Sequence, residues 1–150
     1  MAILDYITKT TRAAAATTSG DVSDSLNIAT AGDAAFMSNP SGPGGDLYCY
    51  FQVVAANTGT APSGQLQVIG ASADALDANV KVLASVELGD VSATCLAGST
   101  FVAGPLAKIQ DATTTHIGTR LLFPSGTSAG MTWISYFALS PPDANINNPV

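Results

Sequence analysis

The side chains able to carry out chemistry are few in this sequence, and their spacing matches no catalytic set. His116 is the only histidine, so a nucleophilic triad or a Cys-His pair would have to be built around it. It follows the run ATTT at the start of an apolar stretch, and the sequence has no Gly-x-Ser-x-Gly elbow. Glu87 is the only glutamate, which makes a carboxylate pair for glycoside cleavage a poor interpretation. The sequence therefore predicts no catalytic residues and a protein that is not an enzyme.

Metal and phosphate sites are also weakly supported. One histidine and no cysteine cluster do not predict a zinc site. Asp74 and Asp77 in SADALDAN resemble part of a calcium loop, but the run lacks the glycine and terminal glutamate of that motif, so we interpret both as turn-capping residues. The glycine-rich NPSGPGGD lacks the lysine of a phosphate loop. We predict no metal and no cofactor.

The composition favours a protein that is packed against other proteins. The chain has 150 residues, a formal net charge of −6 and only 11% charged residues, which is low for a soluble domain. Its five basic residues are scattered, and phosphate-backbone binding depends on clustered cations. We therefore expect no direct contact with nucleic acid.

The cysteines and the N-terminus bear on the cellular compartment. Cys49 and Cys95 lie far apart in the chain, and the simplest interpretation is two buried free thiols. The start MAILDYITKTTR lacks the cationic and apolar regions of a signal peptide, and no apolar run approaches 20 residues. We expect a protein that is made in a cytoplasm and does not contact a membrane.

Short apolar or alternating runs bounded by Gly, Pro, Asn and Asp predict an all-β fold. About eight strands are expected, at residues 25–29, 47–55, 65–71, 80–88, 91–95, 101–102, 116–123 and 131–139. Residues 1–18 are predicted to be an extended N-terminal arm, 19–140 a β-sandwich and 141–150 an extended tail. A short helix at residues 12–16 is the alternative for part of the arm, although four alanines are too few for a stable isolated helix.

The stretch RLLFPSGTSAGMTWISYFALSPPD reads as two strands folded back on each other. Period-two geometry places Trp133 and Phe137 on one face of the last strand, which we predict to be the core face, together with Phe51 and Phe123 from other strands. Ile134 and Tyr136 lie on its other face. LYCYFQVV is likewise apolar on both faces, with Tyr48 and Tyr50 together on one of them. This surplus of apolar side chains favours an oligomer or an obligate contact surface.

The ILDYI start, the Gly and Pro loop before DLYCYFQVV, the strand GQLQVIGASAD and the closing RLLFPSGTSAGMTWISYFALSPPD together resemble the capsid cement proteins of tailed phages. That family is typified by the cement protein of the Bordetella podovirus. The resemblance implies an eight-stranded jelly roll with extended termini. It also implies a non-enzymatic decoration protein on the outer surface of the virion head, where it bridges major capsid protein subunits and stabilises the shell.

The partners implied are the major capsid protein and further copies of the chain, with a homodimer favoured over a homotrimer. Synthesis in the host cytoplasm would precede assembly onto the capsid. Residues expected to bind the capsid or a sister subunit come from the N-terminal arm, the outward-facing strand positions and the proline-rich tail: Ile3, Leu4, Tyr6, Ile7, Tyr48, Tyr50, Ile134, Tyr136, Pro141 and Pro142.

The alternative function is a glycan-binding or host-surface-binding β-sandwich module of a virion. Such a module would present exposed aromatic groups and acidic or amide groups on loops, and AAFMSNPSGPGGDLY could serve as such a loop. A trimeric β-fold hydrolase of deoxyuridine triphosphate is much less favoured, because PSGTSAG lacks the arginine of its phosphate motif and the C-terminus has no glycine-rich flap.

Overall fold

The computed structural model describes residues 9–16, 19–27, 48–107, 113–127 and 130–138. These residues form an almost purely β structure, as the sequence predicted. The strands are β1 (Lys9–Ala16), β2 (Leu26–Asn27), β3 (Tyr48–Ala55), β4 (Gly64–Ala71), β5 (Lys81–Gly89), β6 (Thr100–Ala103), β7 (His116–Leu122) and β8 (Met131–Ala138), and one short helix, α1 (Val91–Thr94), lies between β5 and β6.

The strands form two four-stranded antiparallel sheets with the order of a jelly roll. The first sheet has the order β1-β8-β3-β6, and the second has the order β2-β7-β4-β5. Within them β1 pairs with β8, β2 with β7, β3 with β6 and β4 with β5, so the first half of the chain runs antiparallel to the second half. These four pairs form one long two-stranded ribbon. The ribbon folds back on itself, which places β3 beside β8 and β4 beside β7. The predicted jelly-roll sandwich is confirmed by this order.

The closing stretch does not form the hairpin that its sequence predicts. β7 lies in the second sheet and β8 in the first, so the linker between them crosses from one sheet to the other. Its end is held by Thr127, whose carbonyl accepts hydrogen bonds from Thr60 N at 2.7 Å and Ala61 N at 3.0 Å. Gly126 (φ +82°) packs against the backbone of Thr60 and Ala61, so closely that an added Cβ would lie 2.7 Å from Ala61 Cα. A hairpin prediction from turn residues was wrong because the same residues also suit a crossing loop.

Residues 91–95 were predicted to be a strand and instead contain helix α1. Asp90 caps the helix, since its Oδ1 accepts hydrogen bonds from Ser92 N at 3.0 Å and Ser92 Oγ at 2.6 Å. Thr94 Oγ1 donates to Leu88 O at 2.6 Å. These local side-chain bonds favour a turn over the extended backbone that Val91 would otherwise prefer.

The second half of the predicted N-terminal arm belongs to the sandwich. Lys9–Ala16 pairs with β8, so this segment is a strand and neither a free arm nor a helix. Its outer edge is met by the following segment, where Asp24 N donates to Thr11 O at 2.9 Å and Arg12 Nη1 donates to Val22 O at 2.9 Å. Pairing with β8 on one edge and these hydrogen bonds on the other stabilise an extended conformation that the alanine-rich segment would not hold in isolation.

The core lies between the two sheets. Trp133, Phe137 and Phe51 are fully buried and Phe123 nearly so, as their positions in the sequence predicted. They pack with aliphatic side chains from the second sheet, including Leu66, Val68, Ile117 and Leu121. Burying each large apolar side chain contributes about 1.5–3 kcal/mol, and these residues hold the two sheets together.

A buried hydrogen bond links the sheets through the centre of this core. Trp133 Nε1 donates to Thr119 Oγ1 at 2.8 Å, and both residues are fully buried. Thr119 is itself held by the segment before β2, because its N–H donates to Ser23 Oγ at 2.9 Å and its carbonyl accepts from Ser23 N at 2.8 Å. The indole N–H is therefore satisfied in the interior without water.

Thr119→Val tests this bond. Valine has nearly the same shape but no acceptor, so the buried indole N–H loses its partner, and we expect the free energy of unfolding to fall by about 1–3 kcal/mol. The indole proton resonance of Trp133 should shift upfield in Thr119→Val and stay in place in Thr119→Ser, which keeps the hydroxyl. An unchanged indole resonance in the valine variant would contradict the assignment.

Candidate interaction surface

Four of the residues predicted to contact a partner lie together on the outer face of the first sheet. Tyr48 and Tyr50 on β3 and Ile134 and Tyr136 on β8 are all half-buried, while the residues between them point into the core. The two strands are neighbours, so this alternation places the four side chains on one continuous surface. We call this surface the tyrosine face.

Strand register gives the tyrosine face its internal order. Tyr136 is directly opposite Tyr50, and Tyr50 is in turn opposite Val102 on β6. Opposed side chains on neighbouring strands lie close enough to pack against each other, so these three form an apolar row across the sheet. Tyr48 lies against Gly104, where a Cβ would come within 2.6 Å of Tyr48 Cδ1. This close packing restricts the position of the Tyr48 ring on the tyrosine face.

Carboxylates are absent from the whole first sheet. None of the residues of β1, β8, β3 and β6 is Asp or Glu, and the charged residues in these strands are Lys9 and Arg12. The acidic residues in the described part of the chain lie in loops, at the end of β5 or at the cap of α1: Asp21, Asp24, Asp74, Asp77, Glu87 and Asp90. The strands of this sheet thus contribute no negative charge themselves, and the described carboxylates nearest to it lie along the edge strand β1, where Asp21 pairs with Arg12 and Asp24 accepts a hydrogen bond from Thr11 N.

The tyrosine face is concentrated at the end of the sheet from which both terminal segments continue. Lys9, the first residue of β1, pairs with Tyr136, two residues before the end of β8 at Ala138. Ala138 pairs with Tyr48, the first residue of β3. The predicted partner-binding residues Ile3, Leu4, Tyr6, Ile7, Pro141 and Pro142 lie outside the described residues, as does the predicted Gly- and Pro-rich loop at residues 30–46.

Two exposed valines extend the tyrosine face beyond the predicted residues. Val54 is 55% exposed at a bulge in β3, and Val102 is 37% exposed on β6. Val54 lies on the same face as Tyr48 and Tyr50 because side chains alternate along β3. Its place on this face could therefore have been predicted from the sequence. Val102 belongs to a strand only four residues long, and its register against Tyr50 is not visible in the sequence.

His116, Asp74 and Ser25 lie near one another in the described part of the chain, with the serine bonded to the carboxylate. His116 Nδ1 is 2.9 Å from Thr115 Oγ1, and its Nε2 is 4.0 Å from Asp74 Oδ1, which accepts a hydrogen bond from Ser25 Oγ. Across the described residues no group of three or more His, Cys, Asp or Glu side chains could hold a metal ion. No described helix has the length and apolar character needed to cross a membrane.

Both cysteines are free and buried, as predicted. Burial raises the pKa of the Cys49 thiol far above its ordinary value, and a hydrogen bond with Ser135 offsets part of this effect. Burial also raises the pKa of Cys95, with a smaller opposing contribution from Thr94. A protonated, buried thiol is a poor nucleophile, so these residues serve as packing groups.

Comparison with known proteins leaves the family open. No protein-family model matches the chain, and no curated protein matches it. Among solved structures, the chain is similar to a high-resolution crystal structure of the Clostridium thermocellum N-terminal endo-1,4-β-D-xylanase 10B CBM22-1-GH10 modules complexed with xylohexaose. The identity is 12% and the TM-score 0.36, over 95% of this chain and 28% of that one. So low a score identifies no ligand, and the fold class follows from the strands themselves.

Gly104→Ala tests how Tyr48 is positioned. Gly104 has φ +144°, which L side chains rarely adopt, and the new Cβ would collide with the Tyr48 ring. We expect a loss of about 1 kcal/mol or more in the free energy of unfolding, with a change in the tyrosine near-ultraviolet circular dichroism. Gly98→Ala also alters a positive-φ glycine but has open space around it, so it should leave that signal unchanged.

The raised thiol pKa values predict a loss of stability in alkali. An unfolded thiol ionises near 9.0 while buried Cys49 stays protonated, so the unfolded state releases a proton that the native state retains. The free energy of unfolding should therefore be constant below about pH 8 and fall by roughly 1 kcal/mol for this thiol by about pH 9.5. Urea unfolding at about pH 8 and about pH 9.5 measures the fall in the free energy of unfolding. This fall should be smaller in Cys49→Ala. An equal fall in that variant would show that another group is responsible.

Proposed function

We propose that this protein is a structural virion protein of the capsid cement class, which docks through the tyrosine face onto neighbouring protein on the outer surface of a phage head. The observation that carries the proposal is a sheet whose described strands present tyrosine and aliphatic side chains on the outer face and contain no carboxylate, in a chain of net charge −6. The cores of protein interfaces are depleted in charge and enriched in aromatic residues. Tyrosine suits such a surface because its ring packs while its hydroxyl keeps a polar partner.

The size of the face supports a role for the terminal segments as well. Three strands of eight residues and one of four, spaced by ~4.8 Å and rising ~3.3 Å per residue, give a footprint of roughly 400 Å². A stable interface buries ~800 Å² on each partner, so the sheet alone falls short. In this proposal, the remaining contact area comes from the predicted partner-binding residues of the terminal segments: Ile3, Leu4, Tyr6, Ile7, Pro141 and Pro142.

The mechanism needs a stiff body and many weak contacts. The sandwich provides the stiff body, since its sheets are joined by a packed core and by the Trp133–Thr119 hydrogen bond. The partners are the major capsid protein and a further copy of the chain. Once one contact forms on a shell, each additional contact is effectively intramolecular, so modest interfaces add up to tight attachment. Clamping neighbouring subunits in this way stabilises the shell without any reaction.

The direct test is decoration of expanded phage heads that lack this protein. Purified protein should bind them at a fixed ratio to the major capsid protein, measured by co-sedimentation, and should raise the temperature at which the heads open. A glycan-binding module would leave the heads bare and bind a saccharide array. That second result would replace the cement proposal with the glycan alternative.

Substitutions of exposed valines test the tyrosine face itself. Val54→Ser and Val102→Ser each remove an exposed apolar side chain from the face, and we expect head binding to weaken roughly fivefold to tenfold for each. Val82→Ser is the matched control, because Val82 is 48% exposed on β5 of the other sheet. Equal losses in all three variants, or none in the first two, would exclude this face as the docking surface.

A further inference from the structure

An open cavity lies at the end of the second sheet, away from the tyrosine face. Its volume is about 400 Å³, which is at the small end of the ~300–1,000 Å³ of ligand pockets. It is formed where β4 begins and where β5 and β7 end, and it is lined by Ser19, Ser63, Gly64, Gln65, Glu87, Leu122, Phe123 and Pro124. A cavity of this size has room for one long side chain.

A ladder of polar side chains leads across the sheet to this cavity. Arg120 donates from Nε at 2.9 Å and from Nη2 at 2.7 Å to Gln67 Oε1. Gln67 Nε2 donates to Gln65 Oε1, and Gln65 Nε2 donates to Glu87 Oε1. The two amides point the same way, with their N–H groups towards the carboxylate. The ladder therefore holds the Glu87 side chain at the cavity.

Among the described residues, the carboxylate of Glu87 has no positive partner at the cavity. Gln65 is its one hydrogen-bond partner in the described part of the chain, and none of the lining residues is basic. The nearest cation along the ladder, Arg120, is separated from Glu87 by two amides and bonds to Gln67. Lys81, on the same strand as Glu87, pairs with Gly70 at the opposite end of β5. Glu87 thus offers an unmatched negative charge.

The rest of the lining suits an aliphatic stem. Leu122, Phe123 and Pro124 are the apolar lining residues that follow one another at the end of β7, and Ser19 and Ser63 are hydroxyl-bearing lining residues. Ser19 Oγ accepts a hydrogen bond from Phe123 N at 3.0 Å, which fixes this segment. Phe123 is only 8% exposed, so its ring is not presented as a platform for a sugar. Lysine and arginine combine a long apolar stem with a cationic head.

We propose that this cavity receives a lysine or arginine side chain of a partner polypeptide, with the stem on the apolar lining residues 122–124 and the cationic head on Glu87. The site is independent of the capsid role, because any basic side chain presented by a neighbouring protein would fill it. On a virion it would provide a second contact on the sheet opposite the tyrosine face. Charge-assisted hydrogen bonding to the carboxylate would select a basic residue over a neutral one.

Nuclear magnetic resonance titration of the full chain with blocked amino acids tests the pocket without any virion component. The probes are Nα-acetyl-lysine methylamide, its arginine counterpart and the neutral norleucine counterpart, which has a stem of the same length as lysine. We expect the two basic probes to shift the amide signals of Gly64, Gln65, Glu87 and Leu122, and norleucine to bind more weakly. Added salt should weaken the basic probes because it screens the charge pair.

Glu87→Gln is the deciding variant. Glutamine can still accept the hydrogen bond from Gln65, so only the charge is lost, and binding of the lysine probe should weaken by about threefold or more. Asp77→Asn makes the same change in net charge at an exposed residue of the β4–β5 loop and should have no effect. The spectra of both variants report whether the fold is intact.

Several outcomes would overturn the proposal. Equal weakening in Glu87→Gln and Asp77→Asn would mean general attraction to an acidic chain, and norleucine binding as strongly as lysine would mean an apolar pocket only. Shifts of the same amides by a methyl xyloside, with none from lysine or arginine, would make this a saccharide site. A separate result bears on the cement function alone. If the protein does not bind phage heads but still binds lysine, the cement function is rejected and the pocket proposal is kept.

Discussion

The alternation of side chains on β3 and β8 is the constraint on which the rest of this structure depends. These two strands lie beside each other in the first sheet, and successive side chains on each must point to opposite faces. Trp133, Phe137 and Phe51 therefore enter the core only if Tyr136 and Tyr50 point outwards. A shift of one residue would exchange the two sets, so the burial that stabilises the sandwich also presents the tyrosine face.

Hydroxyl groups inside the core make this arrangement specific. Thr10 on β1 and Ser135 on β8 share a buried hydrogen bond, and Cys49 on β3 is hydrogen-bonded to the same serine. Trp133 reaches across the sandwich to Thr119. The bonds to Ser135 require one register between strands that are distant in the sequence, and the bond to Thr119 requires one placement of the two sheets against each other. A slip would leave buried polar groups without partners. The core is thus defined by polar contacts as well as by apolar volume.

Charge is distributed so that the two sheets offer different surfaces. The first sheet has no carboxylate in its strands and presents tyrosine, isoleucine and valine. The second presents a polar ladder that begins at Arg120 and ends at Glu87 beside an open cavity. Removing a charge from water is costly unless it is paired, so a neutral face is the easier one to bury over a large area. A single carboxylate beside apolar lining residues instead favours one specific basic side chain.

Much of the local structure could be predicted from the sequence. Strand positions and faces follow from the alternation of residue types, which is why the placement of Trp133 in the core and of Tyr136 on the opposite face needed no structure. The helix at Val91–Thr94 was missed because its cap depends on hydrogen bonds among Asp90, Ser92 and Thr94 that outweigh strand propensity. The ladder from Arg120 to Glu87 could not be seen, because it joins residues of three different strands.

The amino-acid sequence alone determined which side chains share a face, because a period of two residues is a local property of each strand. Only the tertiary structure decided which strands are neighbours: it separated β7 from β8, joined the alanine-rich β1 to the sandwich and brought Glu87 to a cavity. These outcomes depend on contacts between residues far apart in the chain, such as Thr10 and Ser135, which are 125 positions apart. Such pairings are selected by the packing of the whole core, and no short stretch of sequence specifies them.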